Sequence, residues 1–226
     1  MLQLDNGLPL GDDERGVAQL TAVEGDPHAL LVTHHRAALS GDPVGDPEAI
    51  EFRSVEPIAV PGRQLVSIAG APPVELTTVA TGGAGLSLVL GTSDDPVQVG
   101  MAFRPPGDPK TLLACWRRGR ATAYGVARYR IHDSDTIVGS YISEMSPELP
   151  GQDVAKGDTT SGLEGRYVLH SEEADGRKWG PHELNVILMG KTVRVDWSEH
   201  GRIFCRGFGF VDPGDSDAFI VTYWKT

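Results

Sequence analysis

The phrase HDSDTIVGSYI at residues 132–142 is almost rewritten as GDSDAFIVTYW at residues 214–224, 82 positions later. Without a gap, 125–143 and 207–225 share Gly125/Gly207, the Asp-Ser-Asp runs at 133–135 and 215–217, and Tyr141/Tyr223, five identities in 19 positions. One inserted residue upstream sets Trp116, Gly119 and Arg120 opposite Trp197, Gly201 and Arg202. Further back, GLSLVL from Gly85 falls opposite GRYVLH from Gly165. The internal repeat is thus roughly 81 residues long, with about four strands in each copy.

The shared residues have a physical reading. Gly-Arg after each Trp strand marks a hairpin, where glycine supplies a positive φ. Asp-Ser-Asp opens the next turn, where short carboxylates bond nearby backbone amides. Ala123, Gly125 and Ala127 share one strand face, and Cys205, Gly207 and Gly209 are their counterparts. A row of small residues beside a large indole suits a tightly curved sheet. Two four-stranded meanders can close on each other and remove their edges, giving an antiparallel eight-stranded β-barrel.

The rest of the chain agrees with an all-β fold. Apolar alternation and short apolar runs recur from residue 64 to 224, and Gly, Pro or Asp punctuates nearly every gap. Residues 46–52 are the best helical candidate; 17–23 and 28–38 fit helix or strand. The expected organisation is a β-rich extension over 1–80, packing on a barrel over 81–226 made of repeats at about 82–143 and 162–226. Val126, Phe204, Phe208 and Phe210 give the barrel wall an apolar outer face, so the extension or a second subunit in a homodimer must cover it.

Gly165-x-Tyr167, Asp175-Gly176, Trp179-Gly180, LNVILMGKTVRVDW, Gly207-x-Gly209 and Tyr223 resemble avidin-like and other calycin-like β-barrel domains of bacteria. The resemblance covers about 65 residues and implies a barrel for an apolar ligand. The first copy departs from it, with Ser87 in place of the strand aromatic and Arg104-Pro105-Pro106 interrupting a hairpin. No ligand residue of avidin has a counterpart here.

Chemistry is sparsely signalled. A net charge of −11 disfavours nucleic acid and anionic membranes. The opening MLQLDNGLPLGDDERG lacks a secretory pattern and no long apolar span occurs, so a cytoplasmic protein is expected. His34-His35 point to opposite faces of a strand, and no metal-ligand spacing appears, so no metal and no cofactor are expected. Asp-Ser-Asp with Asp212 or Glu144 reads as turn chemistry rather than a calcium loop. Cys115 and Cys205 read as buried, unpaired thiols. Carboxylate pairs such as Glu172-Glu173 read as solvated turn residues.

The candidate ligand-binding residues are therefore Trp116, Tyr141, Trp197 and Tyr223 as aromatic walls, with Arg194 and Asp196 as polar groups. No catalytic residue is assigned. The leading functional expectation is binding of a small apolar or aromatic metabolite. A cofactor-independent cyclase or isomerase using the same cavity is the first alternative; a structural or interaction protein with a filled barrel is the second.

Overall fold

The computed structural model describes residues 14–38, 40–54, 61–68, 74–82, 84–91, 96–118 and 125–226. Every regular element among them is a strand. The first eight are β1 (Glu14–Ala22), β2 (Ala29–Ala38), β3 (Glu48–Ser54), β4 (Gly62–Ile68), β5 (Val74–Gly82), β6 (Gly85–Gly91), β7 (Pro96–Phe103) and β8 (Thr111–Arg118). The next eight are β9 (Gly125–Asp133), β10 (Thr136–Ser143), β11 (Ser146–Lys156), β12 (Gly165–Glu172), β13 (Lys178–Met189), β14 (Thr192–Glu199), β15 (Arg202–Val211) and β16 (Ala218–Lys225). No helix among the described residues is long and apolar enough to cross a membrane.

The antiparallel eight-stranded barrel is present, and its strands are β9 to β16, with β16 returning to β9. Strands β1 to β8 form their own ring, closed by β1 against β8 and thinnest between β3 and β4. This differs from a barrel built of repeats at 82–143 and 162–226. β8, with Trp116, pairs with β1 and β7, whereas β14, with Trp197, pairs with β13 and β15. What the repeated phrase does mark is a pair of hairpins, β9–β10 and β15–β16, whose second strands flank β9 on its two sides. Gly119, Arg120 and Ala123 lie outside the described residues.

Two local readings also change. Residues 48–52 of this stretch belong to β3 rather than a helix; Glu48 to Arg53 pair with β2, because a place in the sheet satisfies their backbone where a short isolated helix would not. β11 has no counterpart in the apolar pattern, for a reason that matters at the site below.

Inside the second barrel, alternate residues form the core: Ala127 and Tyr129, Val193, Val195 and Trp197, Phe219 and Val221. Its aromatic rings need glycine on the neighbouring strand. A Cβ at Gly139 would come within 2.6 Å of the Tyr129 ring, and one at Gly207 within 2.9 Å of Trp197. Tyr141 lies over Gly151 and Tyr223 over Gly125 in the same way. The expected contact between Trp197 and Gly207 is thus present. Trp116 instead lies over Gly16 and opposite Gly100, both in the first ring, not beside Gly125.

The outer face of β15 and β16 is covered as its composition requires. Val126, Ile142, Phe208, Phe210, Ile220 and Trp224 pack with Val17, Ala37, Phe103, Leu113 and Cys115 of the first barrel in one buried cluster. Removing one such buried phenylalanine should cost about 3–5 kcal/mol. Polar contacts finish the seam: His35 is within 3.1 Å of the Gly209 carbonyl, Gln19 donates to Asp212 at 3.2 Å, and Arg15 lies over the Trp224 ring at 4.1 Å. Part of the contact is self-complementary, with β1 against β16 and β8 against β9, and likewise β1 against β15 and β7 against β9; β11 also meets β5 and β6. Both opening strands carry Gly-Val-Ala, at 16–18 and at 125–127.

Candidate functional site

One end of the second barrel is sealed. The chain between β11 and β12 folds back over it, burying Leu163 in the core. The Tyr167 hydroxyl donates to the Leu163 carbonyl at 2.9 Å. The first Asp-Ser-Asp turn anchors this plug: the amides of Gly157 and Thr159 donate to the carbonyls of Asp135 and Ser134 at 2.9 and 3.1 Å. The second copy is held by cations instead, with Arg128 at 2.8 Å from Asp212 and 3.1 Å from Asp215. Both copies therefore do structural work, and no group of three metal-binding side chains converges among the described residues.

The other end is open, between the β10–β11, β12–β13 and β14–β15 turns. It leads into a cavity of about 310 Å³. Tyr129, Tyr141, Tyr223, Trp197, Leu169 and Cys205 form its walls. Met145, Trp179 and Phe204 form an exposed apolar rim, with Arg177 and Lys225 beside them. Phe204 reaches the rim through a bulge: Trp197 faces Cys205 and Ser198 faces Ile203, leaving Phe204 as the extra residue. That irregularity turns it away from the covered face of Phe208 and Phe210, where simple alternation places it. Across the mouth, Phe204 meets the His182 ring at 5.0 Å. On β13, Gly180 has φ 109° and lies so near the Leu169 carbonyl that a Cβ would come within 2.6 Å. Only glycine fits that bend.

Asp153 is the deepest polar group. It is 4% exposed, on β11, and its Oδ2 accepts a 2.5 Å hydrogen bond from the Tyr129 hydroxyl. Its Oδ1 is buried and has no formed hydrogen bond. Burial pushes the carboxyl up to about 6; nearby Glu173 adds to this, while Tyr129 and the hydroxyl of Ser171 across the ladder oppose it. Burial, followed by the field of Asp153, also holds Tyr129 and Tyr141 well above the usual phenol range. Tyr223 is raised mainly by burial, and its hydroxyl donates to the Ile142 carbonyl at 3.0 Å. The Cys205 thiol is pushed up to about 12 by burial, which leaves it inert as a nucleophile. Glu173 Oε2 and His182 Nδ1 are also buried without partners. The vessel is thus apolar in its walls, with a few polar atoms whose bonding capacity is unused.

Of the six residues expected at a site, Tyr141, Trp197 and Tyr223 line this cavity together. Trp116 belongs to the first barrel. Arg194 and Asp196 lie on the outer face, 3.7 Å apart with Arg206 at 3.4 Å from Asp196, since they alternate with the inward Val193, Val195 and Trp197. Glu173 corrects the solvated reading of Glu172-Glu173: it opens the turn just beyond β12, and there it lines the cavity with its Oε2 buried. Asp153 was unmarked because β11 alternates the wrong way for hydropathy. Gly151, Asp153 and Ala155 point in, while Val154 is exposed. The available signal was size: three small residues on one face, opposite large aromatics.

No known protein family, curated protein or solved structure matches the chain.

Proposed function

We propose that this protein binds a small, largely apolar or aromatic metabolite in the second barrel, with a hydrogen-bond donor of the ligand meeting Asp153. One observation carries the reading: the cavity of about 310 Å³ is lined by a buried carboxylate, Asp153, whose Oδ1 forms no close hydrogen bond, with the Ser171 hydroxyl beside the carboxyl. Its volume falls at the lower end of small-molecule pockets, and its make-up, aromatic walls with few polar groups, is theirs too. A buried acceptor left unbonded costs about 1–3 kcal/mol, which a donating ligand recovers. An interaction protein with a filled barrel has no use for such a space. The net charge of −11 gives nucleic acid no part in this reading.

The test is a matched pair of ligands followed by quenching of tryptophan fluorescence, since Trp179 and Trp197 line the cavity. A phenol should bind roughly tenfold more tightly than the same ring with methyl in place of hydroxyl, a difference of ~1.4 kcal/mol. Ser171→Phe, which fills the channel, should abolish quenching by both. Quenching that ignores both the hydroxyl and Ser171→Phe would sink the reading.

A further inference from the structure

We propose that Asp153 is a general base, and that the second barrel catalyses cofactor-independent proton shifts in apolar or aromatic carbonyl compounds with an acidic C–H beside the carbonyl. The inference rests on the ligand-binding reading and deepens it. Three features of the geometry separate this carboxylate from a simple anchor. Its Oδ2 is fixed by the 2.5 Å bond from Tyr129, so the group is aimed rather than free to rotate. Its Oδ1 is buried and forms no hydrogen bond, and Asp153 is one of the residues that line the cavity. The surrounding wall is apolar, which strengthens any charge interaction made inside it.

The step balances without any co-reactant. Asp153 Oδ1 takes the proton, forming an O–H bond as the C–H bond breaks. The freed pair becomes the C=C bond of an enolate, and the carbonyl π pair moves onto oxygen. His182 belongs to the same lining and its Nδ1 has no hydrogen-bond partner; as the Nδ1–H tautomer it would donate to that oxygen. Where the substrate is a β,γ-unsaturated ketone, Asp153 then returns its proton to the γ carbon. The β,γ π pair forms the new C–H bond, the enolate C=C pair becomes the α,β double bond, the oxygen pair re-forms the carbonyl, and the carboxylate is restored. A ketone without that second double bond takes the proton back at the same carbon. In the first case the double bond has moved, and in neither is anything oxidised or reduced.

The pH behaviour follows from the groups around Asp153. Tyr129 of β9, Tyr141 of β10, Glu173 beyond β12, Cys205 of β15 and Tyr223 of β16 share its lining, with His182 of β13 and, at the mouth, Arg177 and Lys225. Together they leave the carboxyl titrating near 6, so a base is present at neutral pH and its conjugate acid is still strong enough to give the proton back.

The experiment uses the full chain, phenylacetone and a β,γ-unsaturated cyclohexenone in deuterated water. Binding is read by tryptophan quenching and exchange of the acidic C–H by proton NMR. Wild type should accelerate exchange on the order of 10²-fold over buffer, with a rate that climbs with pH through a midpoint near 6. Asp153→Asn should still bind both ketones and exchange them at the buffer rate. Tyr129→Phe removes a hydrogen bond that favours the carboxylate, so its midpoint should move to higher pH. Bound ketones that exchange at the buffer rate in wild type overturn the assignment, as does an Asp153→Asn protein as fast as wild type or a midpoint unmoved in Tyr129→Phe. Each of those leaves ligand binding standing. Failure of every ketone and phenol to bind overturns both readings.

Discussion

The two barrels have the same strand number and order, yet they bury charge in opposite ways. In the first, Arg36 and Glu14 lie 3.8 Å apart with both side chains under a tenth exposed, and His34 sits beside them on the strand face of Leu30 and Val32. Burial, then the nearby Arg36, holds His34 down at about 4, so it stays neutral. In the second barrel Asp212 is paired with Arg128 on the outside, while the acid inside the ring, Asp153, lies among phenols with no cation bonded to it. A ring that pairs its charges spends them on its own structure. A ring that leaves an acid unpaired keeps bonding capacity for something that arrives later.

Cutting into each arrangement should give opposite results. The largest effect belongs to Arg36→Ala, which removes a buried cation beside Glu14 in the first barrel and should cost about 3–5 kcal/mol in urea unfolding. A loss under ~1 kcal/mol would end the contrast. Asp153→Asn should do the reverse. In the folded chain Asp153 titrates near 6 against 3.8 when exposed, so the native state binds the extra proton between those values. Wild type therefore loses stability as pH rises through that window, and stays at the lower level above it. Measured against wild type, Asp153→Asn should gain about 3 kcal/mol between pH 4 and pH 7. An unchanged difference across that range would mean that the acid is not desolvated.

His34 should supply the opposing slope. Its folded value near 4 lies below the ordinary 6.5, so the unfolded chain binds the extra proton, and stability falls as pH drops from 6.5 to 4. His34→Gln should remove about 2–3 kcal/mol of that acid sensitivity. Wild type, carrying both groups, should show a nearly flat profile there, and each single variant should tilt it in its own direction. The smallest effect tests what the barrels share. Trp197→Ala with Gly207→Val, and Trp116→Ala with Gly16→Val, should each fall short of additivity by about 1–2 kcal/mol, because valine occupies space the indole vacates. Coupling in one pair alone would show that only that barrel relies on the device.

How much of this could be read in advance depended on whether the deciding contact was local. The inward face of TVRVDW and the two apolar faces of β15 follow from alternation within a strand, and the structure keeps both apart from the bulge at Phe204. The repeated hairpin was legible because turn chemistry is written in adjacent residues. Ring closure was not. Trp116 rests on Gly16, about a hundred positions away, and nothing near either residue announces the pairing. The core of the candidate site was hidden for a different reason. Pro147, Pro150 and a carboxylate facing inward make β11 look like loop, because a barrel with space inside does not reward apolar residues there. Three of the four wall aromatics were therefore visible, and the acid they surround was not.

The seam between the barrels carries a last consequence. Two identical subunits meeting through β1, β8, β9 and β16 would have to use each residue on both sides of the contact. One chain holding both rings is free of that rule. It can set Arg15 over Trp224 and His35 against Phe208 without requiring the mirrored pairs. The same freedom reaches the interiors, where one half can keep a salt bridge and the other can keep a vacancy. Joining the copies in a single polypeptide is what allows them to become unlike.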